Sequence, residues 1–132
     1  MVKQIIPMLA FQNAAKAIDF YKRAFDAIET ARMEDNGKIV HAEIKVGQIE
    51  IMIADEAPEI KVFSPATTGS CPIILLLVTD EVDKMFDKAV SNGATVDRPV
   101  TSQLEGQIRN GKIIDPFGYK WMISSRPKDK SH

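Results

Sequence analysis

His41 and Glu43 stand two residues apart in "VHAEI". On a β-strand that spacing puts both side chains on one face. An imidazole that titrates near neutral pH beside a carboxylate can move a proton or hydrogen-bond a bound molecule. The same pair also suits a hydrogen-bonded strand histidine with a structural role, and a carboxylate that serves nearby Lys45 or Lys120. The second group of interest is Met8, Met52 and Met122. Methionines on one wall would make a pliable apolar pocket, and plain core packing would use them equally well. Met122 lies in "YKWMIS", where alternation sends Lys120, Met122 and Ser124 to one face and Tyr119, Trp121 and Ile123 to the other.

Other residues with chemical potential carry less. Arg109 reads as a solvated or turn-anchoring residue, with an anionic ligand as the alternative. Asp115 and Gly118 belong to the turn in "IIDPFGYK". The single cysteine, Cys71, lies between turn residues and an apolar strand and reads as structural or neutral; alone it excludes an internal disulfide and suits a reducing compartment. No phosphate-binding glycine loop, Ser/His/Asp set or Cys/His zinc pattern is present.

The elements that must position these residues follow from periodicity. In the hairpin "KIVHAEIKVGQIEIMIA", pairing Val46 with Ile49 pairs Ile44 with Ile51 and Ala42 with Ile53 on one apolar face. The other face then pairs Lys45 with Glu50, Glu43 with Met52 and His41 with Ala54, and a slip of one residue would invert all of them. Trp121 and Ile123 should cover a helix. "IILLLV" is apolar on both faces. The reading is a central strand over Pro72 to Val78, with Leu75 or Leu77 against a helix and Ile74 and Leu76 on the side of Met122.

A strand "KQIIPMLAF" opens the chain, and Asn13 caps a helix from about Ala14 to Asp26. A strand near Ala27 to Met33, an Asn36-Gly37 turn and the hairpin follow. After a proline-containing connection, the order repeats. Thr79 or Asp80 caps a helix ending at Asn92-Gly93, "ATVDRPV" is a short strand broken by Pro99, and "IRNGKIID" and "YKWMIS" are the last strands. The two helices share one apolar rhythm: Ala17, Phe20, Tyr21, Ala24 and Phe25 match Val82, Met85, Phe86, Ala89 and Val90 at a constant offset. One helix on one small sheet cannot bury the other sheet face alone, so two modules should pair. The boundaries are module one at 1–56, a linker at 57–71, module two at 72–126 and a disordered tail at 127–132.

With 132 residues, 45% hydrophobic and 27% charged, the chain suits one globular domain. A net charge of -1 gives no reason to expect nucleic acid or an anionic membrane as partner. The start is too interrupted for a signal peptide, and the longest apolar run is too short to span a bilayer. A cytoplasmic protein is expected.

Five segments resemble, in order, the vicinal oxygen chelate superfamily of glyoxalase I, bleomycin-resistance proteins and extradiol dioxygenases, and its PhnB-like branch above all. They are "AAKAIDFYKRAF", "KIVHAEIKVGQIEIMIADE", "FSPATTGSCP", "DEVDKMFDKAVSNGATVDRPV" and "NGKIIDPFGYKW". The resemblance implies an α+β fold of two paired βαβββ modules, with curved mixed sheets around a cavity and helices on the outer faces. It also implies a homodimer, an assembly for which exposed sheet edges are an independent motive. Two departures stand out. Asp26 takes the place of the branch's usual glycine, and "LEGQIRNG" is one residue longer than the usual loop.

The metal enzymes of this superfamily carry one ligand on each of four strands. The resemblance puts these on Ile6, His41, Ile74 (or Leu76) and Met122. Only His41 is a ligand for a hard or borderline divalent ion, and a catalytic site needs about three protein ligands. The expectation is therefore a metal-free protein, without cofactor, that holds a small organic molecule in the cavity. Its wall would comprise Ile6, Met8, Met52, Ile74, Leu76, Lys120 and Met122, with His41 and Glu43 as the polar pair. The alternative is a lyase or isomerase of the same superfamily that uses His41 and Glu43 as acid and base, or a non-standard metal site.

Overall fold

The computed structural model describes residues 1–126; the tail expected to be disordered, 127–132, lies outside them. The chain forms two compact units, Met1–Gly69 and Ser70–His132. Each unit runs strand, helix, strand, strand, strand.

In the first unit these are β1 (Met8–Phe11), α1 (Ala14–Phe25), β2 (Ile28–Asp35), β3 (Lys38–Val46) and β4 (Ile49–Asp55). The sheet order is β1-β4-β3-β2, with β1 parallel to β4 and the other pairs antiparallel. The β3–β4 register is the one the alternation predicts, from Val46–Ile49 through Ala42–Ile53. Ala42, Ile44, Ile51 and Ile53 are buried with Leu9 and Phe11. Against them α1 buries Ala14, Ala17, Ile18, Phe20, Tyr21, Ala24 and Phe25, its whole apolar stripe. Burying each of the larger side chains contributes roughly 2 kcal/mol. Phe11 and Tyr21 meet edge to face, with ring centroids 6.1 Å apart.

Both ends of α1 are fixed by identifiable groups. Asn13 Oδ1 accepts the Lys16 amide at 3.1 Å, the expected cap. Asp55, at the end of β4, adds what local sequence could not reveal. One of its oxygens accepts the Ala14 amide at 2.7 Å and the other accepts the Ile39 amide at 2.8 Å. It thus ties the helix start to β3. At the far end Asp26 adopts the left-handed conformation, φ 57°, the role a glycine usually fills. The opening strand is shorter than predicted: Lys3 to Pro7 lie outside it, although the Pro7 carbonyl still accepts the Met52 amide at 2.9 Å.

The connection is more ordered than its prolines suggest. It holds a 3₁₀ turn at Pro58–Ile60 and a single helical turn, α2 (Pro65–Thr68). Glu56 anchors it, accepting the Ser64 amide at 2.7 Å and the Ser64 and Thr67 hydroxyls.

The second unit has β5 (Ile74–Val78), α3 (Val82–Ser91), β6 (Thr95–Gln103), β7 (Ile108–Ile114) and β8 (Lys120–Ser124), in the sheet order β5-β8-β7-β6. Its topology repeats that of the first. Trp121, Ile123 and Ile113 are buried, and α3 buries Val82, Phe86 and Ala89. A β-carbon added to Gly111 would lie 2.8 Å from the Phe86 ring and 2.9 Å from Val100, so glycine here admits the helix onto the sheet. Asp115 is 3% exposed. It accepts the Phe117 and Tyr119 amides and the Trp121 indole, the last at 2.9 Å. It thereby shapes the turn and fixes the ring that fills the core.

Three expectations for this unit change. β5 is an edge strand, not a central one: it pairs in parallel with β8 and, among the described residues, has no strand on its other side. Ile74 and Leu76 are 51% and 61% exposed, and Leu75 and Leu77 are half-buried. Pro99 does not break β6, whose nine residues absorb it through register shifts between Val96 and Thr101. Finally, α3 starts behind Glu81, which makes no side-chain cap; the Thr79 hydroxyl instead accepts the Glu81 amide at 3.0 Å.

Candidate functional site

Each sheet turns one face to its helix and leaves one face open. On the open face of the first sheet, register sets Met8 beside Met52, Met52 beside Glu43, and Glu43 beside Ala31. His41 follows, beside Met33. Met8 is 70% exposed. The His41 Nε2 and Glu43 Oε2 atoms are 2.7 Å apart, on side chains about one-third exposed. That bond, with a lesser one from Glu50, holds the Glu43 carboxyl below the usual glutamate range. Within its own unit the partner of Glu43 is therefore His41 and not Lys45. Ile6 precedes the strand and is partly exposed.

On the open face of the second sheet, Leu76 lies beside Met122, Met122 beside Lys112, and Lys112 beside Arg98. Ile74, Lys120 and Ile114 form the row on one side of these, and Val78, Ser124, Asn110 and Thr101 the row on the other. Asn110 and Ser124 are buried. The Asn110 Oδ1 accepts from Arg98 and, at 3.3 Å, from Gln103; its Nδ2 lies 3.4 Å from the Ser124 hydroxyl. Arg98, Asn110 and Lys112 were not singled out in the sequence. The register shift between Val96 and Arg98 puts Arg98 on a face that simple alternation from Val96 would not assign it, whereas the alternation of "RNGKII" would have assigned Asn110 and Lys112.

Other candidates resolve into architecture. Arg109 forms a paired bond to Asp83 of α3, both contacts at 2.7 Å, which lowers the Asp83 carboxyl and raises the guanidinium. It pins β7 to the helix. The Cys71 thiol lies 3.3 Å from the Ile73 carbonyl. A cleft of about 340 Å³ in the first unit lies off the open face, among Gln12, Asn13, Arg32, Lys38, Asp55 and Glu56. Of the acids there, Asp55 and Glu56 already serve backbone and hydroxyl donors, and Glu34 pairs with Arg32 at 3.8 Å.

The metal set implied by the superfamily's enzymes does not fit these residues. Ile6, Ile74 and Leu76 have no donor atom, Met122 offers a soft thioether, and the His41 Nε2 is engaged by Glu43. Among the described residues no three His, Cys, Asp or Glu side chains gather as a metal site. No helix among them is long and apolar enough to cross a membrane.

Two successive βαβββ units with matching strand order and an open face on each sheet define a protein of the glyoxalase type. The family model described as "Glyoxalase/Bleomycin resistance protein/Dioxygenase superfamily" matches residues 5–123, and the chain belongs to that superfamily. Its relatives include the uncharacterised protein Mb0911c of Mycobacterium bovis. The two are 37% identical over 121 residues, which cover 89% of this chain and 79% of that one. Among solved structures, TioX from Micromonospora sp. ML1 matches with a TM-score of 0.75 at 22% identity, over 95% of this chain and 99% of that one. The PhnB protein of Bacillus cereus matches with a TM-score of 0.65 at 23% identity, over 93% and 99%. These last two likenesses establish the fold.

Proposed function

We propose that this protein is a metal-free binding member of its superfamily, that it holds a small organic molecule on the open sheet faces, and that it does so as a cytoplasmic homodimer. The observation that carries the reading is the makeup of those faces. Apolar side chains with pliable methionines, Met8, Met52, Leu76 and Met122, alternate in register with a few polar groups, His41, Glu43 and Lys120. Small-molecule sites have this composition. The donor set supports it from the other side, since three of the four positions used by the superfamily's metal enzymes lack a suitable ligand atom.

Methyl-labelled methionine tests the reading. Small organic compounds added to the folded protein should shift the resonances of Met8, Met52 and Met122 and spare Met85 on α3. Shifts at none of the three, across a chemically varied set, would overturn it.

One observation favours a second reading, a lyase or isomerase. The His41–Glu43 bond of 2.7 Å lies on a face that a substrate can reach, and such a pair can shuttle a proton. A His41→Gln variant separates the two: a binding protein keeps its ligand, whereas an enzyme keeps the ligand and loses turnover.

A further inference from the structure

We infer that the open face of the second sheet selects organic anions, through Arg98, Lys112 and Lys120. This rests on the proposed binding role and narrows its ligand to molecules with an apolar body and a negatively charged head.

Register brings the three cations together. Lys112 lies directly beside Arg98 on β6 and beside Met122 on β8, and Lys120 is two residues from Met122 on the same strand face. Lys112 stands between the other two: the Arg98 guanidinium is drawn to the Asn110 row on one side of it, Lys120 occupies the row on the other, and a long lysine side chain spans to either. Among the described residues no aspartate or glutamate is registered on this face. Asp97, in the bulge next to Arg98, is exposed and forms no ion pair with it, and among the described residues Arg98, Lys112 and Lys120 form no ion pair at all. The chain as a whole carries a net charge of -1. The positive charge is thus a local feature of this face and not a reflection of composition.

Arg98 is also positioned, which a solvated surface cation is not. Its Nη1 donates to the Thr101 hydroxyl at 2.9 Å, the Asn110 carbonyl at 3.1 Å and the Pro99 carbonyl at 3.2 Å, and its Nη2 donates to Asn110 Oδ1. Every acceptor is neutral. The guanidinium is therefore held in place with its charge uncancelled, and these bonds leave its Nε–H unused. Asn110, the residue that holds it, is itself buried and braced by Gln103 and Ser124. Lys112 set between a fixed, half-buried guanidinium and Lys120 is repelled from both sides unless an anion joins them. Leu76, Met122 and Ile74 continue the face as an apolar strip next to the charges. A carboxylate, sulfonate or phosphate head group would meet the cations while its hydrocarbon or aromatic body covers that strip.

Two fluorescent probes of like shape test this: 8-anilinonaphthalene-1-sulfonate, an anion, and N-phenyl-1-naphthylamine, which is uncharged. The folded protein should bind both. Raising the salt from low to high should weaken the sulfonate alone. The Lys112→Gln/Lys120→Gln variant, checked for an unchanged circular dichroism spectrum, should lose sulfonate affinity by about tenfold and keep the neutral probe within about twofold, given the size of short-range charge interactions near a surface. Arg98→Lys should retain most of the sulfonate affinity and Arg98→Gln should not. If sulfonate binding ignores both salt and the lysine substitutions while the neutral probe still binds, anion selection is wrong and the binding reading survives. If neither probe binds, both are wrong. The salt arm needs no variant, so misfolding of a mutant leaves the inference open to refutation.

Discussion

The Nε2 of His41 and the Oε2 of Glu43 are 2.7 Å apart on one face of a single strand, two residues from each other in sequence. The bond joins the sharpest chemical feature of the sequence to a definite geometry. It occupies one of the two ring nitrogens through which an imidazole ligates a metal, and it draws the Glu43 carboxyl below its ordinary range.

A pH dependence follows. A carboxylate with a lowered folded-state pKa stabilises the protein above the ordinary carboxylate range, and that contribution disappears as pH falls through the lowered value. Glu29 (by Arg32), Glu43 (by His41), Glu56 (by Ser64) and Asp83 (by Arg109) are all lowered by hydrogen bonds. Urea midpoints should therefore fall below about pH 4, and Glu56→Gln should shallow that fall. A midpoint that rises on acidification would contradict the assignment.

Gly111→Ala should cost about 1–3 kcal/mol, the range for overpacking a filled core. The new methyl would press on Phe86 and Val100. Parent-like stability in denaturant melts would mean that α3 does not sit on β7 as described.

Asp26→Gly should add about 0.5–1 kcal/mol, since glycine accepts the left-handed conformation without a β-carbon penalty. Asp26→Ala should lower the melting temperature at the same position. If alanine proves as good as glycine, the positive φ of 57° is not populated in solution.

Particular residues show how far the sequence reaches. The pairs from Val46–Ile49 to Ala42–Ile53 follow from alternation, because any other register exposes isoleucines. The stripe of α1 and its Asn13 cap are equally local. By contrast, "IILLLV" looked central because both its faces are apolar, and no local pattern encodes a parallel pairing that places β5 at an edge. Asp55 and Asp115 bind donors that the fold delivers from other segments. Arg98 stayed hidden for a different reason: a register shift after Val96 breaks the two-residue alternation that would otherwise assign its face.

The edge strand bears on assembly. Ile73, Ile74, Leu76 and Val78 are exposed along or beside β5, and an uncovered apolar edge invites association. Light scattering at micromolar concentration should give twice the chain mass of 14.7 kDa, and Leu76→Lys should shift it towards the monomer. A monomer mass for the parent protein would remove the homodimer.

Native mass spectrometry of the protein as purified tests the central claim most directly, because one spectrum separates a bound metal from a bound organic molecule. The account predicts chains with no stoichiometric divalent metal, and an added small organic anion retained as an adduct that Met122→Trp displaces. One nickel, zinc or manganese ion per chain, lost on His41→Ala, would contradict it.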